Sequence, residues 1–371
     1  MTKLKRFAAF IAAFLSLFST LIAQERIMIV SGGGARGAWG GGLAKTLVTE
    51  FDYDYKVVVG ASTGSLIAPF IALKEFDALK EGYTTINDKD IFNVKPYKTK
   101  GKKRGKIKGF QSFMRLMIGK KTLGESKRLK KTIRRFYTEE MFNKFKNEHN
   151  NRAHIATVVN LTKDSIEYKS SKDFEYEEMV DWIWASANAP IFMSLHRTKS
   201  DSIKKVTYVD GGVKEGVPLQ KGIEIMCQDP SIKYIDVIVH STLTPKEDDV
   251  KVGGVVKLLG RTIELFLSEN RHNDLAAARR YEELQSDCAL EDIDDLITIT
   301  YYFMPESAYQ ILPNELLFRE DEMRKLWAAG EDHIKEKQTN SELRKLRIEL
   351  KVPRSQLCNS GGIWRPSIVS Q

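Results

Sequence analysis

The stretch Val57-Val58-Val59-Gly60-Ala61-Ser62-Thr63-Gly64 decides the fold class of this 371-residue chain. An apolar β-branched run leads into a Gly-x-Ser-x-Gly pentapeptide, and a helix-like run, residues 65–68, follows it. The pattern predicts a strand, a tight turn and a helix, because Gly60 and Gly64 let the strand and the helix approach closely. Ser62 at the turn would stand clear of the sheet, where its hydroxyl can attack a carbonyl carbon. An ordinary glycine-rich turn has the same pattern, so the interpretation depends on the motifs around it.

A glycine-rich loop lies upstream, between a predicted buried strand at 26–30 and a predicted helix at 38–50. Its members are Gly32, Gly33, Gly34, Ala35, Arg36 and Gly37. A dinucleotide-binding site has similar glycine spacing, but it needs an acidic residue at the end of the second strand, and here Ser62 follows that strand. Unshielded N–H groups beside a helix N-terminus favour negative charge, so the loop is predicted to form an oxyanion hole. Arg36 either adds a positive charge there or pairs with a carboxylate.

The base that would activate Ser62 is not an evident histidine, since none of the six histidines lies in a recognisable catalytic context. Asp210 instead ends an apolar strand-like run and enters a turn formed by Gly211 and Gly212. Asp-Gly turns are common, and alone this motif would indicate only a turn. Because open α/β sheets bind ligands at the carboxyl ends of their strands, the glycine loop, Ser62 and Asp210 are expected at the same edge.

Together, and in this order, the three motifs resemble the patatin-like phospholipases. The resemblance covers about residues 26–225 and includes the small-residue run 185–190. It implies a three-layer α/β sandwich related to the α/β-hydrolases, and a Ser–Asp dyad without histidine. Ser62 would be the nucleophile, Asp210 its base, and the glycine loop the oxyanion hole, with no metal and no organic cofactor. Asn188 stands where the family more often has an aliphatic residue, so the packing near the site is expected to differ.

The alternation of strands and helices along the chain predicts a mostly parallel central sheet with helices on both faces. We divide the chain into a catalytic domain at 26–225, a C-terminal α/β extension at 226–337 that packs on it, and a polar tail at 338–371. The three cysteines are too few and too scattered for a disulfide framework or a zinc site. At most one disulfide could form, and the sequence gives no reason to expect it.

The N-terminus resembles a targeting segment. Three basic residues, Lys3, Lys5 and Arg6, precede an apolar run at 7–23. This is the pattern of a secretory signal peptide, residues 1–23, and a short uncleaved membrane anchor is the alternative. The protein is therefore expected to be exported or membrane-associated.

The net charge of +9 is concentrated in one segment, residues 95–135, which we call the basic insert. It holds 17 Lys and Arg residues and one acid, so it carries +16 and the rest of the chain −7. Apolar residues at 110–118 interrupt the charges, which favours an interfacial segment on an anionic membrane. A solvated loop is the alternative. Nucleic acid is not an expected partner, because no recognition helix, zinc spacing or aromatic platform accompanies the charge.

These patterns predict a serine acyl hydrolase that cleaves fatty-acyl esters of membrane lipids, of the phospholipase A or lysophospholipase type. Two alternatives stay open. One is a conventional Ser-His-Asp esterase with His240, His272 or His333 as base. The other is a membrane-binding or scaffold protein on the same fold that has lost catalysis.

Overall fold

The computed structural model describes residues 25–98, 101, 104–147, 151–199, 205–243, 295–334 and 346–358. The predicted signal peptide or anchor at 1–23 lies outside the described residues. The predicted polar tail is described only over residues 346–358.

The strands of the described residues form one sheet of nine, in the order β5-β6-β3-β2-β1-β7-β8-β9, with β4 paired to β3. The five strands from β3 to β8 in this order are parallel, and β4, β5, β6 and β9 are antiparallel to their neighbours. The strands are β1 (Glu25–Val30), β2 (Tyr55–Ala61), β3 (Ala153–Asn160), β4 (Ser165–Ser170), β5 (His196–Thr198), β6 (Val206–Asp210), β7 (Ile232–Val239), β8 (Leu296–Phe303) and β9 (Arg347–Pro353).

Helices cover both faces of the sheet. They are α1 (Gly37–Thr49), α2 (Thr63–Leu73), α3 (Phe76–Thr84), α4 (Asp88–Ile91), α5 (Gly109–Met117), α6 (Lys127–Phe136), α7 (Glu139–Lys146), α8 (Tyr176–Ser186), α9 (Leu219–Gln228), α10 (Glu306–Ile311), α11 (Glu320–Asp332) and α12 (Arg354–Cys358). Among the described residues, no helix is both long enough and apolar enough to cross a membrane.

The core lies in two layers, because side chains along a strand alternate between its faces. On β1, Met28 and Val30 pack into the larger cluster, which contains buried residues of α1, α2, α3, α6, α7, α8 and α11. Ile27 and Ile29 face the opposite way, into a smaller cluster with α9 and α12. The predicted three-layer α/β fold with a mostly parallel sheet is therefore confirmed.

The C-terminal part of the chain belongs to the same sheet as the N-terminal part. β7 and β8 lie within the predicted extension at 226–337, yet β7 pairs directly with β1 and β8 pairs with β7. The sheet therefore continues across residue 225, and the boundary proposed there does not separate two sheets.

A disulfide joins Cys227 at the end of α9 to Cys358 at the end of α12. This is the one bridge that three cysteines allow, and sequence spacing gave no sign of it because the two cysteines are 131 residues apart. Folding brings both helices to the same face of the sheet, with 5.6 Å between the two Cα atoms, which is within the range that a disulfide spans. Cys288 lies outside the described residues.

Candidate active site

Ser62 stands at the predicted turn between strand and helix. β2 ends at Ala61, α2 begins at Thr63, and Ser62 between them has φ 55° and ψ −122°. A positive φ at a residue other than glycine is uncommon and costs on the order of 1–3 kcal/mol, so it persists only where the surroundings enforce it. Two glycines make the turn sterically feasible. A Cβ atom at Gly60 would lie 2.1 Å from the Gly64 carbonyl carbon, and one at Gly64 would lie 2.1 Å from the Val30 oxygen.

A buried serine on α8 holds this turn in place. The Ser186 hydroxyl donates to the Thr157 carbonyl at 2.6 Å and accepts from the Ser62 N–H at 3.1 Å. It therefore ties the backbone of Ser62 to β3. Sequence reasoning placed Ser186 only in a run of small residues, and no local pattern connects it with a turn 124 residues upstream.

Asp210 lies close to Ser62 because β6 runs antiparallel to β2 and ends where β2 ends. One side of β3 pairs with β4, and the other side pairs first with β2 and then with β6. Ala61, the last residue of β2, lies opposite Thr157, whereas Asp210, the last residue of the antiparallel β6, lies opposite Val158. Consecutive residues of a strand are about 3.3 Å apart. The ends of β2 and β6 thus meet beside β3, which brings Ser62 and Asp210 together.

Asp210 is held by its own turn. Its side chain is buried, with Oδ1 accepting from the Gly212 N–H at 2.8 Å, and its backbone N–H donates to the Asn188 carbonyl at 3.2 Å. Gly211 packs so closely on β3 that a Cβ atom there would lie 2.4 Å from the Thr157 oxygen. Close packing therefore requires glycine at 211, and a Cβ atom at Gly212 would lie only 3.2 Å from Asp210 Oδ1.

Asn188, which stands where the family more often has an aliphatic residue, forms hydrogen bonds that an aliphatic side chain could not form. Its amide is fully buried, donates to the Trp184 carbonyl at 2.7 Å and accepts from the Ser126 hydroxyl. A buried amide needs such partners, whereas an aliphatic side chain needs none. The polar residue thus links the end of α8 to the basic insert.

The glycine loop offers fewer free donors than the sequence predicted. Four of its N–H groups are already bonded, those of Gly32, Ala35, Arg36 and Gly37. The N–H groups of Gly33 and Gly34 have no acceptor among the described residues, so the predicted oxyanion hole narrows to these two. The loop abuts the serine, since a Cβ atom at Gly32 would lie 3.2 Å from the Ser62 Cβ.

Arg36 pairs with a carboxylate, which was one of its two predicted roles. Its buried guanidinium donates to Glu315 at 3.1 Å, to the Leu312 carbonyl at 3.1 Å and to the Pro313 carbonyl. The Glu315 carbonyl in turn accepts from the Ala35 N–H at 2.8 Å. Residues 312–315 therefore buttress the glycine loop, a role that sequence reasoning missed because 279 residues separate Arg36 from Glu315.

A sequence family and solved structures match this chain. The family model for Patatin-like phospholipase matches residues 28–221, just over half of the chain. The chain belongs to the patatin-like phospholipase family. Patatin-like phospholipases are in general lipid acyl hydrolases, and an acyl lipid is the general class of substrate. Thirteen solved chains are similar in structure. One is VipD from Legionella pneumophila, with a TM-score of 0.39 and 13% identity over 88% of this chain and 68% of that chain. No curated protein matches the chain in sequence.

A cavity of about 380 Å³ opens beside Ser62 in this patatin-like domain. Ser62, Asp210 and Gly32–Gly34 line one end of it. The remaining wall is mainly apolar, and much of it comes from α2, α3, α6 and α8, with Leu66, Phe70, Leu79, Leu129, Ile133, Phe136 and Ile183 among its members. Ser62 and Phe70 are separated by two turns of α2, about 12 Å at 1.5 Å per residue.

Part of the basic insert is a wall of this cavity. Leu129 and Ile133 of α6 are buried and line the cavity, together with Phe136. Tyr137, next to Phe136, packs against Phe70 with ring centroids 6.4 Å apart. The alternative that the whole insert is a solvated loop is therefore wrong for α6, because its apolar side chains are part of the main hydrophobic core.

No histidine among the described residues lines the cavity of this patatin-like phospholipase. His240 lies beneath the glycine loop with Nδ1 2.9 Å from the Ser31 carbonyl oxygen, and His333 packs edge-on against Trp39. Burial lowers the pKa of His154 to about 3 and that of His196 to about 4, so both are neutral core residues. His272 lies outside the described residues. Within the described part of the chain, no group of three or more His, Cys, Asp or Glu residues could hold a metal ion.

Proposed function

We propose that this protein is a serine acyl hydrolase that cleaves fatty-acyl esters of membrane lipids, of the phospholipase A or lysophospholipase type. The observation that carries the proposal is the meeting of β2 and β6 beside β3, which brings Ser62 and Asp210 to one end of an apolar cavity. An ester carbonyl at this end would have its acyl chain among the apolar side chains of α2, α3 and α6.

In the proposed mechanism, Asp210 accepts the hydroxyl proton of Ser62 as Oγ attacks the ester carbonyl carbon. The Gly33 and Gly34 N–H groups donate to the resulting oxyanion, and the N-terminus of α1 adds a favourable field. The proton then passes from Asp210 to the leaving alcohol oxygen, which leaves an acyl-enzyme on Ser62. Water, deprotonated by Asp210, attacks the acyl carbonyl carbon, and the proton returns from Asp210 to Ser62 Oγ as the fatty acid leaves.

Labelling with a fluorophosphonate tests the nucleophile. We expect the protein to be labelled stoichiometrically and to show a burst of chromophore release from a p-nitrophenyl fatty-acyl ester. Ser62→Ala should abolish both, because the attacking oxygen is gone, whereas the exposed Ser231→Ala should behave like the parent. Labelling of the Ser62→Ala variant would show that another residue is the nucleophile. Parent protein that folds but takes no label would favour the scaffold alternative.

We also propose that the protein is exported or membrane-associated and meets an anionic membrane through the basic insert. The leader pattern at 1–23 supports export, and so does the disulfide between Cys227 and Cys358, since such bonds persist mainly in oxidising compartments.

The depth of the cavity should set the preferred acyl length. Phe136 and Gly82 both line the cavity, and a Cβ atom at Gly82 would lie 3.4 Å from the Phe136 ring. We expect Phe136→Ala to shift the preference toward longer chains and Gly82→Leu toward shorter ones. Each methylene gained or lost should change kcat/KM roughly fourfold, since burying a CH₂ stabilises by about 0.8 kcal/mol.

The measurement is kcat/KM across p-nitrophenyl esters of increasing chain length. Lys131→Ala, on the exposed side of α6, is the matched control and should keep the parental profile. Identical profiles for both cavity variants and the parent would mean that the acyl chain binds outside this cavity.

A further inference from the structure

Helix α5 presents its apolar side chains to solvent. Among the described residues, eight large apolar side chains are exposed, and six of them lie between 110 and 118. Phe110 is 82% exposed and Met117 68%. Phe110, Phe113, Met114 and Met117 recur at helical spacing, so they form one continuous stripe. A continuous exposed apolar stripe of this kind marks a surface that binds a membrane or another protein.

The opposite side of α5 anchors the helix to the protein. Ser112 is buried. The Arg115 guanidinium donates to the Thr122 carbonyl at 3.1 Å and to the Glu125 carboxylate at 2.9 Å. These contacts fix the rotation of α5, so the outward direction of the apolar stripe is built into the fold.

Some charges of the insert are paired within the protein and others face solvent. Six basic side chains form ion pairs within the protein, those of Lys95, Arg104, Arg115, Lys130, Arg134 and Arg135. Lys106 before α5 and Lys120 and Lys121 after it are exposed and form no ion pair with the described residues. Residues 109–121 contain no acidic side chain. Cations therefore flank both ends of the exposed apolar stripe.

We infer that α5 inserts into the surface of an anionic lipid bilayer, with its apolar stripe at the acyl boundary and Lys106, Lys120 and Lys121 at the level of the headgroups. The inference deepens the proposed function and rests on it, because a membrane lipid is the proposed substrate. Charge complementarity favours a bilayer over a second copy of this chain, which would meet a stripe flanked by like charges.

Docking at α5 would also bring the cavity to the membrane. Only residues 118–126 separate α5 from α6, whose side chains line the cavity. This connection is tied to the site, because the Leu123 N–H donates to the Ile191 carbonyl at 2.7 Å and the Ser126 hydroxyl donates to Asn188.

Sedimentation with vesicles tests the inference in the Ser62→Ala background, where no lipid can be consumed. The probes are vesicles of phosphatidylglycerol and phosphatidylcholine, and vesicles of phosphatidylcholine alone. We expect the triple variant Phe110→Ser, Phe113→Ser, Met117→Ser to bind the anionic vesicles at least tenfold more weakly at low and at high salt. The triple variant Lys106→Gln, Lys120→Gln, Lys121→Gln should lose roughly a hundredfold at low salt and little at high salt, given about fivefold per lysine near an anionic surface.

The chain offers a matched control for the apolar variant. Phe51 and Leu161 are the other two exposed large apolar side chains of the described residues, and Phe51→Ser with Leu161→Ser should bind vesicles like the parent. A Phe110→Trp variant gives a direct readout, since its emission should shift to the blue when anionic vesicles are added. With Ser62 present, each variant should hydrolyse a short soluble ester at the parental rate, which shows that it is folded.

Parental vesicle binding by the apolar triple variant, or a Phe110→Trp emission that vesicles do not shift, would overturn the inference. Loss of self-association by the apolar variant, with no vesicle binding by the parent, would overturn it in favour of a second copy of the chain. Vesicle binding without fluorophosphonate labelling of Ser62 would instead uphold α5 and reject the proposed function.

Discussion

Replacing Asp210 by Asn is expected to lower kcat for a fatty-acyl ester by about 10⁴-fold, the scale of loss when a catalytic Asp is made neutral in a hydrolase. The amide keeps the shape of the side chain and an oxygen that can accept from the Gly212 N–H, so the fold should survive. The amide cannot accept the Ser62 proton, so the substitution removes only the role of Asp210 as a base. Steady-state kinetics with a p-nitrophenyl ester, together with a thermal unfolding curve, measures both effects.

Histidine variants are the controls for this experiment. His272→Gln and His333→Gln should stay within a few-fold of the parent, because the proposed mechanism uses no imidazole. A loss of about a thousandfold from either one would favour the Ser-His-Asp alternative. Full activity in Asp210→Asn would show that Asp210 is not the catalytic base.

Replacing Gly34 by Ala is expected to lower kcat by about 10²–10³-fold, the effect of losing one oxyanion donor. Gly34 has φ +53° and its Cβ position lies 2.2 Å from the Glu315 oxygen, so the loop must move away from residues 312–315. The Gly33 and Gly34 N–H groups would move with it, while Ser62 and Asp210 stay in place. We therefore expect the loss in kcat to exceed any change in KM.

Gly119→Ala separates steric displacement from backbone strain. Gly119 has φ +76°, but nothing lies within 4 Å of its Cβ position. The variant should carry a similar conformational cost without touching the site, and its kcat should match that of the parent. Equal losses in the two variants would mean that general destabilisation, rather than displacement of the donors, explains the Gly34 result.

Local chemistry made much of the site predictable from sequence. Gly60 and Gly64 mark the turn at Ser62 because only glycine fits where the strand and helix backbones touch. The Asp-Gly-Gly turn is likewise a short-range signal. Each of these motifs can be recognised within five or six consecutive residues. The alternation of strands and helices along the chain was enough to predict the fold class.

Other parts depend on contacts that sequence order does not record. Ser186 supports Ser62 across 124 residues, and Glu315 pairs with Arg36 across 279. The disulfide between Cys227 and Cys358 exists only because two distant helices share one face of the sheet. In the basic insert, one charge pattern also covers two different environments, since the apolar side chains of α6 are buried and those of α5 are exposed.

The head-to-head arrangement of β2 and β6 has a consequence for motion at the site. Ser62 follows the end of β2 and Asp210 ends β6, so both take their positions from the neighbouring residues Thr157 and Val158. A displacement of β3 would carry the two side chains together and leave their separation unchanged. The Gly33 and Gly34 donors instead take their position from β1 and residues 312–315. Thermal motion of the sheet should therefore alter the distance between the proposed dyad and these donors, and the proposed proton transfer from Ser62 to Asp210 should be the step that is least sensitive to it.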